Sequence, residues 1–314
     1  MTSHAVQIRD LVKTYPTPEG DKFNAVDGLS LDVRTGEVLA VLGPNGAGKT
    51  TTMEITEGLT AATAGEVAVL GLDVRRHLPE IKQRIGVQLQ ASSYFEHLTL
   101  EEILALFGSF YDQRIEPTEL LERVGLVDKR RALVGHLSGG QAQRFSIVAA
   151  LVNDPEVVFL DEPTTGLDPQ ARRNLWDLVQ SINTDGTTVV LTTHSMEEAE
   201  FLADRVAIID RGRLIALDAP STLIGSLAGR QRIRFTLPTN VADTGLSTLP
   251  GVIDMHARRN GQAAYELTID SPQDAVPGLF RWAEANDTTL GDIRIESATL
   301  EDVFLSRTGS RLRD

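Results

Sequence analysis

Short, almost entirely apolar segments recur along the chain and predict buried β-strands. Three of them occupy residues 37–42, 157–160 and 188–191, and residues 170–183 between the last two show helical spacing. Strands without polar alternation are buried on both faces, and their alternation with helices is typical of a parallel sheet covered on both sides. The pattern therefore predicts an α/β core, to which residues 205–209 add a further strand.

The N-terminal region shows a different pattern, in which apolar and polar positions alternate. Residues 5–9 and 23–33 predict half-buried strands, and Asp27-Gly28 inside the second segment predicts a turn. Two neighbouring strands of this kind favour an antiparallel start of the fold.

Residues 91–150 are predicted to form a helical subdomain within the core. Apolar residues recur there at intervals of three and four, which places them on one face of a helix. The two repeats of this spacing are Leu100, Ile103, Leu104 and Phe107, and then Leu120, Leu121 and Val124.

The pattern changes again after about residue 219, where short alternating segments return. Ser271-Pro272 predicts the start of a helix that continues to about residue 285, and Arg259-Asn260-Gly261 predicts a hairpin turn. We therefore expect two domains, residues 1–219 and a small C-terminal α+β domain of residues 220–314. The strands of the second domain are predicted at residues 233–237, 252–256, 264–269 and 292–296.

Composition excludes several classes of function. The 314 residues include 30 Lys and Arg against 44 Asp and Glu, and the formal net charge of −14 repels a nucleic acid. The absence of cysteine excludes disulfides, thiol nucleophiles and Cys-ligated metal sites. No apolar run approaches the roughly 20 residues that cross a bilayer, and the N-terminus lacks the apolar segment of a secretory signal. We expect a cytoplasmic chain with no nucleic-acid partner and no membrane-spanning segment of its own.

The strand predicted at residues 37–42 is followed at once by a glycine-rich loop and a helix. The loop has the P-loop spacing G-x-x-x-x-G-K-[ST], whose backbone N–H groups surround phosphate oxygens at the start of the following helix. Lys49 is expected to reach the β- and γ-phosphates, and Thr50 to place its hydroxyl on Mg²⁺. The predicted ATP-binding residues here are Gly43, Pro44, Asn45, Gly46, Ala47, Gly48, Lys49, Thr50 and Thr51.

Two carboxylates end the strand predicted at residues 157–160. Consecutive residues of a strand point to opposite sides, so Asp161 is expected beside Mg²⁺ and Glu162 opposite the γ-phosphate. There Glu162 would orient or deprotonate the attacking water. A strand ending in Asp-Glu is by itself more often a solvated edge, but a P-loop in the same chain favours the catalytic interpretation.

A further glycine pair precedes a helix-compatible run at residues 142–152. The segment Leu137-Ser138-Gly139-Gly140-Gln141 predicts a second anion-binding helix start. A loop joining two helices would explain the two glycines, but not a second phosphate-binding loop in a chain that already has one.

With these segments the sequence resembles the ATP-binding cassette (ABC) family, the ATPase subunits of ABC transporters, over roughly residues 5–217. The resemblance implies a P-loop NTPase fold with a mixed sheet and a helical subdomain, and ATP and Mg²⁺ as cofactors. The matching motifs occur in the family's order: Walker A at 43–50, the Q-loop glutamine Gln90, the signature at 137–141, Walker B with the catalytic glutamate at 161–162, the D-loop at 166–169 and the H-loop histidine His194.

The resemblance assigns further roles. Gln90 would sense Mg²⁺ or the lytic water, beside a membrane partner, and would complete a metal set with Thr50 and Asp161. His194 would contact the γ-phosphate, a task that suits a neutral imidazole with one N–H donor. Tyr15 would stack on adenine, although a tyrosine near a strand end equally suits packing.

In this family the signature loop of one subunit closes on ATP held by the P-loop of another. The resemblance therefore implies a homodimer in which Ser138, Gly139, Gly140 and Gln141 touch the partner's nucleotide, with Asp168 near the same interface. A separate transmembrane permease subunit is the further partner implied. It would hold this chain on the inner face of the cell membrane.

We interpret the chain as the ATPase subunit of an exporter of drugs, lipids or other amphipathic molecules. Residues 297–305 resemble the closing segment of cassette subunits from bacterial drug exporters of the daunorubicin-resistance type. Packing alone would also explain that segment, with Thr299 capping a helix that buries Leu300, Val303 and Phe304. Two alternatives stay open: an importer ATPase subunit, which shares the catalytic set, and a soluble ABC regulator without a permease.

Overall fold

The computed structural model describes residues 4–17, 20–88, 94–227, 231–238, 245–260 and 262–308, without the side chains of residues 258–260, 262 and 263. Gln90 and Gly261, both singled out by the sequence, lie outside the described residues. The chain divides into two compact units, one extending to Pro220 and the other beginning at Ser221. In the part of the chain that is described, no helix is long and apolar enough to span a bilayer.

The strands and helices of both units are as follows, and through most of the first unit they alternate. The strands are β1 (His4–Pro16), β2 (Lys22–Arg34), β3 (Val38–Leu42), β4 (Ala64–Val69), β5 (Leu72–Asp73), β6 (Ile85–Gln88), β7 (Val157–Asp161), β8 (Thr188–Thr193), β9 (Arg205–Asp210), β10 (Arg213–Asp218), β11 (Gln231–Leu237), β12 (Val252–Asn260), β13 (Gln262–Ile269) and β14 (Gly291–Glu296). The α-helices are α1 (Lys49–Thr56), α2 (Leu78–Arg84), α3 (Leu100–Gly108), α4 (Pro117–Arg123), α5 (Gly139–Ala149), α6 (Pro169–Thr184), α7 (Met196–Leu202), α8 (Pro220–Gly225), α9 (Pro272–Ala285) and α10 (Leu300–Thr308).

A six-stranded sheet forms the predicted α/β core. Its strand order is β10-β9-β3-β8-β7-β6, and all neighbours are parallel except the edge pair β10 and β9. β3, β7 and β8 are buried at every position, as their unbroken apolar runs predict. The register pairs Leu42 with Thr193 and Asp161 with Thr192, so these three strands end at the same edge of the sheet. The residues that follow them therefore meet there.

A second sheet, of order β2-β1-β4-β5, is antiparallel throughout, which confirms the predicted start of the fold. The predicted turn at Asp27-Gly28 is wrong, because β2 continues through both residues. The register pairs Leu11 with Leu29 and Val12 with Asp27, so Gly28 is an extra residue, a β-bulge with a φ of 71° that glycine adopts without strain. This sheet and the central sheet share one apolar core.

Helices α3, α4 and α5 occupy the chain between the parallel neighbours β6 and β7. α3 and α5 both begin with a capping box, formed by Thr99 with Glu102 and by Ser138 with Gln141. Phe107, predicted to share the apolar face of α3, is half-buried. The other residues of the predicted helical spacing are buried: Leu100, Ile103, Leu104, Leu120, Leu121 and Val124.

The second unit is a four-stranded antiparallel sheet of order β12-β13-β11-β14, and α9 shares its apolar core. All four predicted strands and the predicted helix are present, and β12 pairs with β13 as far as Asn260 and Gln262. α9 starts at Pro272 as expected, but the hydroxyl of Ser271 caps no backbone N–H. It donates instead to the carboxylate of Asp274 at 2.6 Å.

The last helix, α10, keeps the local contacts that its sequence predicts. The backbone N–H and the hydroxyl of Thr299 donate to the carboxylate of Asp302, at 2.9 and 3.1 Å. Leu300, Val303 and Phe304 are fully buried. The segment that resembles the end of drug-exporter subunits is therefore part of the packing of this unit.

Candidate nucleotide-binding and hydrolysis site

The glycine-rich loop after β3 is held tightly between two other strands. A Cβ on Gly43 would lie 2.3 Å from the carbonyl oxygen of Ile209 on β9, and a Cβ on Gly48 would lie 2.3 Å from that of Ala25 on β2. Neither position accepts a side chain. Gly48 is also the N-cap of α1, with a left-handed φ of 99°. The chain thus turns sharply into α1, whose first N–H groups point back at the loop.

The side chain of Lys49 is 5% exposed and folds back over this loop. Its Nζ donates hydrogen bonds to the carbonyl oxygens of Gly43 (2.8 Å) and Pro44 (3.2 Å), and lies 3.7 Å from Oε1 of Glu162. Burial lowers the pKa of Lys49 because it disfavours the ammonium, while the carboxylates of Glu162 and Asp161 act in the opposite direction. The cationic group is therefore held at the loop, where phosphate oxygens would bind.

Asp161, the last residue of β7, is buried beside two hydroxyl groups. The hydroxyl of Thr192 donates to its Oδ1, and the hydroxyl of Thr50 lies 3.3 Å from its Oδ2. A carboxylate next to a hydroxyl suits Mg²⁺, whose remaining ligands are usually waters and substrate phosphates. The described residues contain no cluster of three acidic or histidine side chains that would hold a metal by itself. Mg²⁺ therefore fits this pair, with its remaining ligands supplied by waters and phosphate.

Glu162 follows β7 with a left-handed backbone, at a φ of 47°. Its N–H donates to the carbonyl oxygen (3.2 Å) and the hydroxyl oxygen (3.0 Å) of Thr192, which holds a conformation that costs roughly 1–3 kcal/mol. Oε2 of Glu162 accepts a hydrogen bond from the hydroxyl of Thr165 at 3.1 Å and lies 3.4 Å from Nδ1 of His194. A largely buried carboxylate fixed beside an imidazole can orient or deprotonate a water.

Tyr15 lies near the end of β1, directly opposite Phe23 on β2. The two ring centroids are 6.0 Å apart, and Nζ of Lys13 lies 4.9 Å from the centroid of the Tyr15 ring. β2 reaches the loop two residues later, where the carbonyl of Ala25 faces Gly48. Phe23, which faces Tyr15 across the β1–β2 pair, is thus two residues from the Ala25 carbonyl that contacts the P-loop.

Ser138 and Gln141 form the first turn of α5, and their hydrogen bonds stay within the helical segment. The N–H of Gln141 donates to Oγ of Ser138, and Oε1 of Gln141 accepts from the N–H of Ser138 and from Nζ of Lys129, both at 3.1 Å. Ser138 and Gly139 are exposed. Among the described residues, no hydrogen bond therefore joins this helix start to the P-loop.

Asp168 is the N-cap of α6, and its carboxylate accepts hydrogen bonds from the N–H groups of Gln170 and Ala171, both at 2.9 Å. A Cβ on Gly140 would lie 3.0 Å from the Cβ of Ala171. The start of α5 therefore contacts the start of α6, next to the predicted D-loop. Gln90 is outside the described residues, and β6 ends two residues earlier at Gln88.

Three buried polar residues belong to the site although no sequence motif marks them. Thr192 contacts both Asp161 and Glu162. Burial, together with the negative charges of Asp161 and Glu54, raises the pKa of Glu57 to about 8. Glu198, on α7, is fully buried. The place of Thr192 after a predicted strand is a usable sequence signal, whereas burial of the two glutamates depends on the tertiary fold.

Known families match segments of both structural units. Residues 26–165 match the ABC transporter family, and residues 231–299 match the family described as ABC transporter domain-containing protein-like, C-terminal domain. Residues 134–200 also match the AAA domain, putative AbiEii toxin, Type IV TA system.

Relatives extend over the whole chain. A Nod factor export ATP-binding protein I of Burkholderia orbicola is 38% identical and covers 100% of this chain and 100% of its own length. A daunorubicin resistance ATP-binding protein of Streptomyces coeruleorubidus is 37% identical and covers 99% of this chain and 97% of its own. A solved dimeric structure of a post-hydrolysis state of an ATP-binding cassette, bound to ADP and Pi, is 28% identical, with a TM-score of 0.62 over 68% of this chain and 98% of that chain.

The motif order, the fold and these relatives agree with one another. They confirm the resemblance stated from the sequence, the expected fold class and the expected ATPase activity. The chain therefore belongs to the ABC transporter family and is an ATP-binding, ATP-hydrolysing subunit of it.

Proposed function

We propose that two copies of this chain bind two MgATP molecules between them, head to tail, and that hydrolysis powers export through a separate membrane subunit. The observation that carries the proposal is the division of the site. Lys49 and Asp161 lie with Glu162 and His194 at one sheet edge, whereas the hydrogen bonds of the exposed Ser138 to described residues stay within the helical segment. One chain thus supplies half of each site, and a second copy would supply the other half. The dimeric form of the solved ABC relative supports this arrangement.

The residues of the chain would divide the chemistry as follows. The backbone N–H groups of the P-loop, residues 43–51 apart from Pro44, and the side chain of Lys49 hold the β- and γ-phosphates, and Tyr15 stacks on the adenine. Glu162 accepts the proton of the attacking water, and His194 keeps that carboxylate and the γ-phosphate in place. Mg²⁺, held by Thr50 and Asp161 with Gln90, would neutralise phosphate charge.

Export is supported by the relatives that match the full length of the chain. One is named for Nod factor export and another for daunorubicin resistance, and both cover the C-terminal unit as well as the ATPase unit. We therefore propose an amphipathic substrate such as a drug or a lipid, and a location on the inner face of the cell membrane.

A groove at the border of the ATPase core and the helical segment is the surface that we assign to the membrane subunit. Its volume is about 480 Å³, and it is lined mainly by apolar and aromatic side chains, with Glu57, Lys82, Gln88 and Ser146 among the polar ones. Leu59 and Phe110 are 52% and 68% exposed. Exposed aromatic residues around a cavity are typical of a binding site for another protein segment.

Copurification and vesicle transport test this proposal. A membrane protein should copurify with the tagged chain from solubilised membranes, and ATP should drive an amphipathic substrate into inside-out vesicles. Phe110→Glu should abolish copurification. Ile295→Glu, which also replaces an exposed apolar residue but lies outside the groove, should not. Isolation of the chain without any membrane protein would favour a soluble regulator. ATP-driven movement of the substrate out of the inside-out vesicles would favour an importer.

A further inference from the structure

Glu57 is a buried carboxyl group at the groove that we assign to the membrane subunit. It is the C-cap of α1, and its backbone N–H donates to the carbonyl oxygen of Met53 at 2.8 Å. Its relative exposure is only 3%, and it is one of the residues that line the groove. The helix therefore fixes the backbone of Glu57, and the groove is the side from which another molecule would reach its side chain.

The carboxyl group of Glu57 has no partner within the described part of the chain. No described side chain or backbone N–H donates a hydrogen bond to it, and no described Lys or Arg forms an ion pair with it. Buried polar groups are nearly always hydrogen-bonded, and a buried carboxyl group without a donor or a cation is unfavourable. Packing of this chain alone therefore gives no reason for a glutamate at this position.

The electrostatic surroundings of Glu57 favour a positive charge. Burial and the negative charges of Asp161 and Glu54 raise its pKa to about 8. The last turn of α1 contains no Lys or Arg, and the C-terminal end of a helix is the negative end of its dipole. Lys82, the basic residue in the described lining of the groove, is exposed on α2 and does not pair with Glu57. The groove thus lacks the cation that its carboxyl group calls for.

The walls of the groove indicate what kind of cation fits. Leu59, Phe107 and Phe110 are among the apolar and aromatic side chains that line it. A lysine or arginine packs its aliphatic stem along such surfaces while its charged end reaches a carboxylate, and both cations also bind the faces of aromatic rings. A metal ion would need several oxygen ligands, and the described residues contain no group of three acidic or histidine side chains to provide them. The lining therefore suits a basic side chain better than a metal ion.

We propose that Glu57 pairs with a Lys or Arg side chain of the membrane subunit, on a segment whose apolar residues fill the rest of the groove. The inference rests on the proposed function, which places that subunit at the groove. Lys49 is the first residue of α1 and Glu57 follows its last, and the eight residues of this helix span about 12 Å. The pair would therefore connect the membrane subunit directly to the helix that begins at the P-loop.

Binding of the chain to the membrane protein that copurifies with it, purified in detergent, tests the pair. Glu57→Gln should raise the Kd at least about tenfold, because the basic side chain would be buried without its charged partner. Glu57→Lys, which brings two cations together, should abolish binding. Glu80→Gln is the matched control, because it changes an exposed carboxylate of α2 that does not line the groove, and it should bind as the wild type does.

Stability of the isolated chain distinguishes this role from a structural one. Glu57→Gln removes an unpaired buried carboxyl group, so it should resist urea better than the wild type at about pH 8. Loss of a structural residue lowers stability and partner affinity together, whereas here the two should change in opposite directions. A folded Glu57→Gln chain that is less stable than the wild type would show that a group of this chain already pairs with Glu57, and it would overturn the inference.

A charge exchange identifies the basic residue of the partner. Each Lys and Arg in the cytoplasmic loops of the membrane protein is changed to Glu in turn. One of these variants should bind the wild-type chain weakly and bind Glu57→Lys at least about tenfold more tightly. If no variant of the membrane protein does so, the inference is wrong.

Two further outcomes separate the inference from the proposed function. Loss of binding in Phe110→Glu, with a Kd within about threefold of the wild type in Glu57→Gln, would refute only the pairing of Glu57. Failure of the wild-type chain to capture any membrane protein would refute the proposed function, and the inference with it.

Discussion

Glu162→Gln should separate ATP binding from hydrolysis. Glutamine keeps the size of the side chain, and its amide oxygen can still accept the hydrogen bond that Thr165 donates at 3.1 Å. The amide cannot take a proton from water. Loss of a general base typically lowers a rate by about 10² to 10⁴, which corresponds to roughly 3–5 kcal/mol in the barrier.

Binding of ATP should not fall in the same variant. Nζ of Lys49 is 3.7 Å from the Glu162 carboxylate, and both side chains are largely buried. Unit charges at about this distance interact by about 4 kcal/mol at an effective dielectric constant near 20. In the glutamine variant, the Glu162 carboxylate no longer competes with ATP for the Lys49 ammonium and no longer repels the γ-phosphate. We therefore expect an ATP affinity equal to or higher than that of the wild type.

Three measurements check this expectation: phosphate release for kcat, calorimetry for the Kd of ATP, and light scattering for the oligomeric state with ATP and Mg²⁺. The variant should bind ATP and accumulate as a dimer, because the nucleotide that bridges two copies is no longer cleaved. Glu122→Gln, an exposed change on α4, is the matched control and should behave as the wild type. A variant that stays monomeric with ATP, or that keeps kcat within threefold, would show that the base or the dimer is wrongly assigned.

Four further variants test other parts of the site. Lys49→Met should reduce ATP affinity at least tenfold in a folded chain, measured by calorimetry, because the buried ammonium is lost. Gly48→Ala should abolish ATP binding, since its Cβ would lie 2.3 Å from the Ala25 carbonyl oxygen; an unchanged Kd would contradict the tight loop. Tyr15→Ala should weaken binding of ATP by about 1–3 kcal/mol and leave that of tripolyphosphate unchanged. The pKa of Glu57 rises from 4.5 to about 8 on folding, so folding binds a proton and stability falls as pH rises through that range. Glu57→Gln should therefore be more stable than the wild type at pH 8, by up to about 4 kcal/mol, with no such gain near pH 4.5, in urea unfolding with EDTA.

The central strands could be predicted because burial on both faces leaves an unmistakable apolar run. β3, β7 and β8 are of this kind, and each was placed correctly to within about a residue or two. β10 is a half-buried edge strand that the sequence analysis does not predict, although its residues 214–217 also form a short apolar run. Asp27-Gly28 has the composition of a turn, but pairing with β1 converts the extra glycine into a bulge. Local composition alone does not distinguish the two outcomes.

The candidate site divides in a similar way. Residues whose roles depend on backbone spacing, such as those of the P-loop, are visible in the sequence because the spacing itself determines the geometry. Glu57 and Glu198 become part of the site only through the packing of α1 and α7. Their environment depends on partners more than 20 positions away, such as Asp161 and Trp176. The roles assigned to Tyr15, Asp168 and the signature residues stay predictions, as does that of Gln90.

The capping box at the start of α5 has a consequence for how fast two copies would associate. Ser138 and Gln141 satisfy each other's backbone N–H groups within the single chain. The turn is therefore already ordered before any second molecule arrives, and no entropy of loop folding opposes encounter. Collision frequency and nucleotide occupancy, rather than refolding of the contact region, should then limit assembly, so the initial rate of dimer formation should rise with the square of the protein concentration.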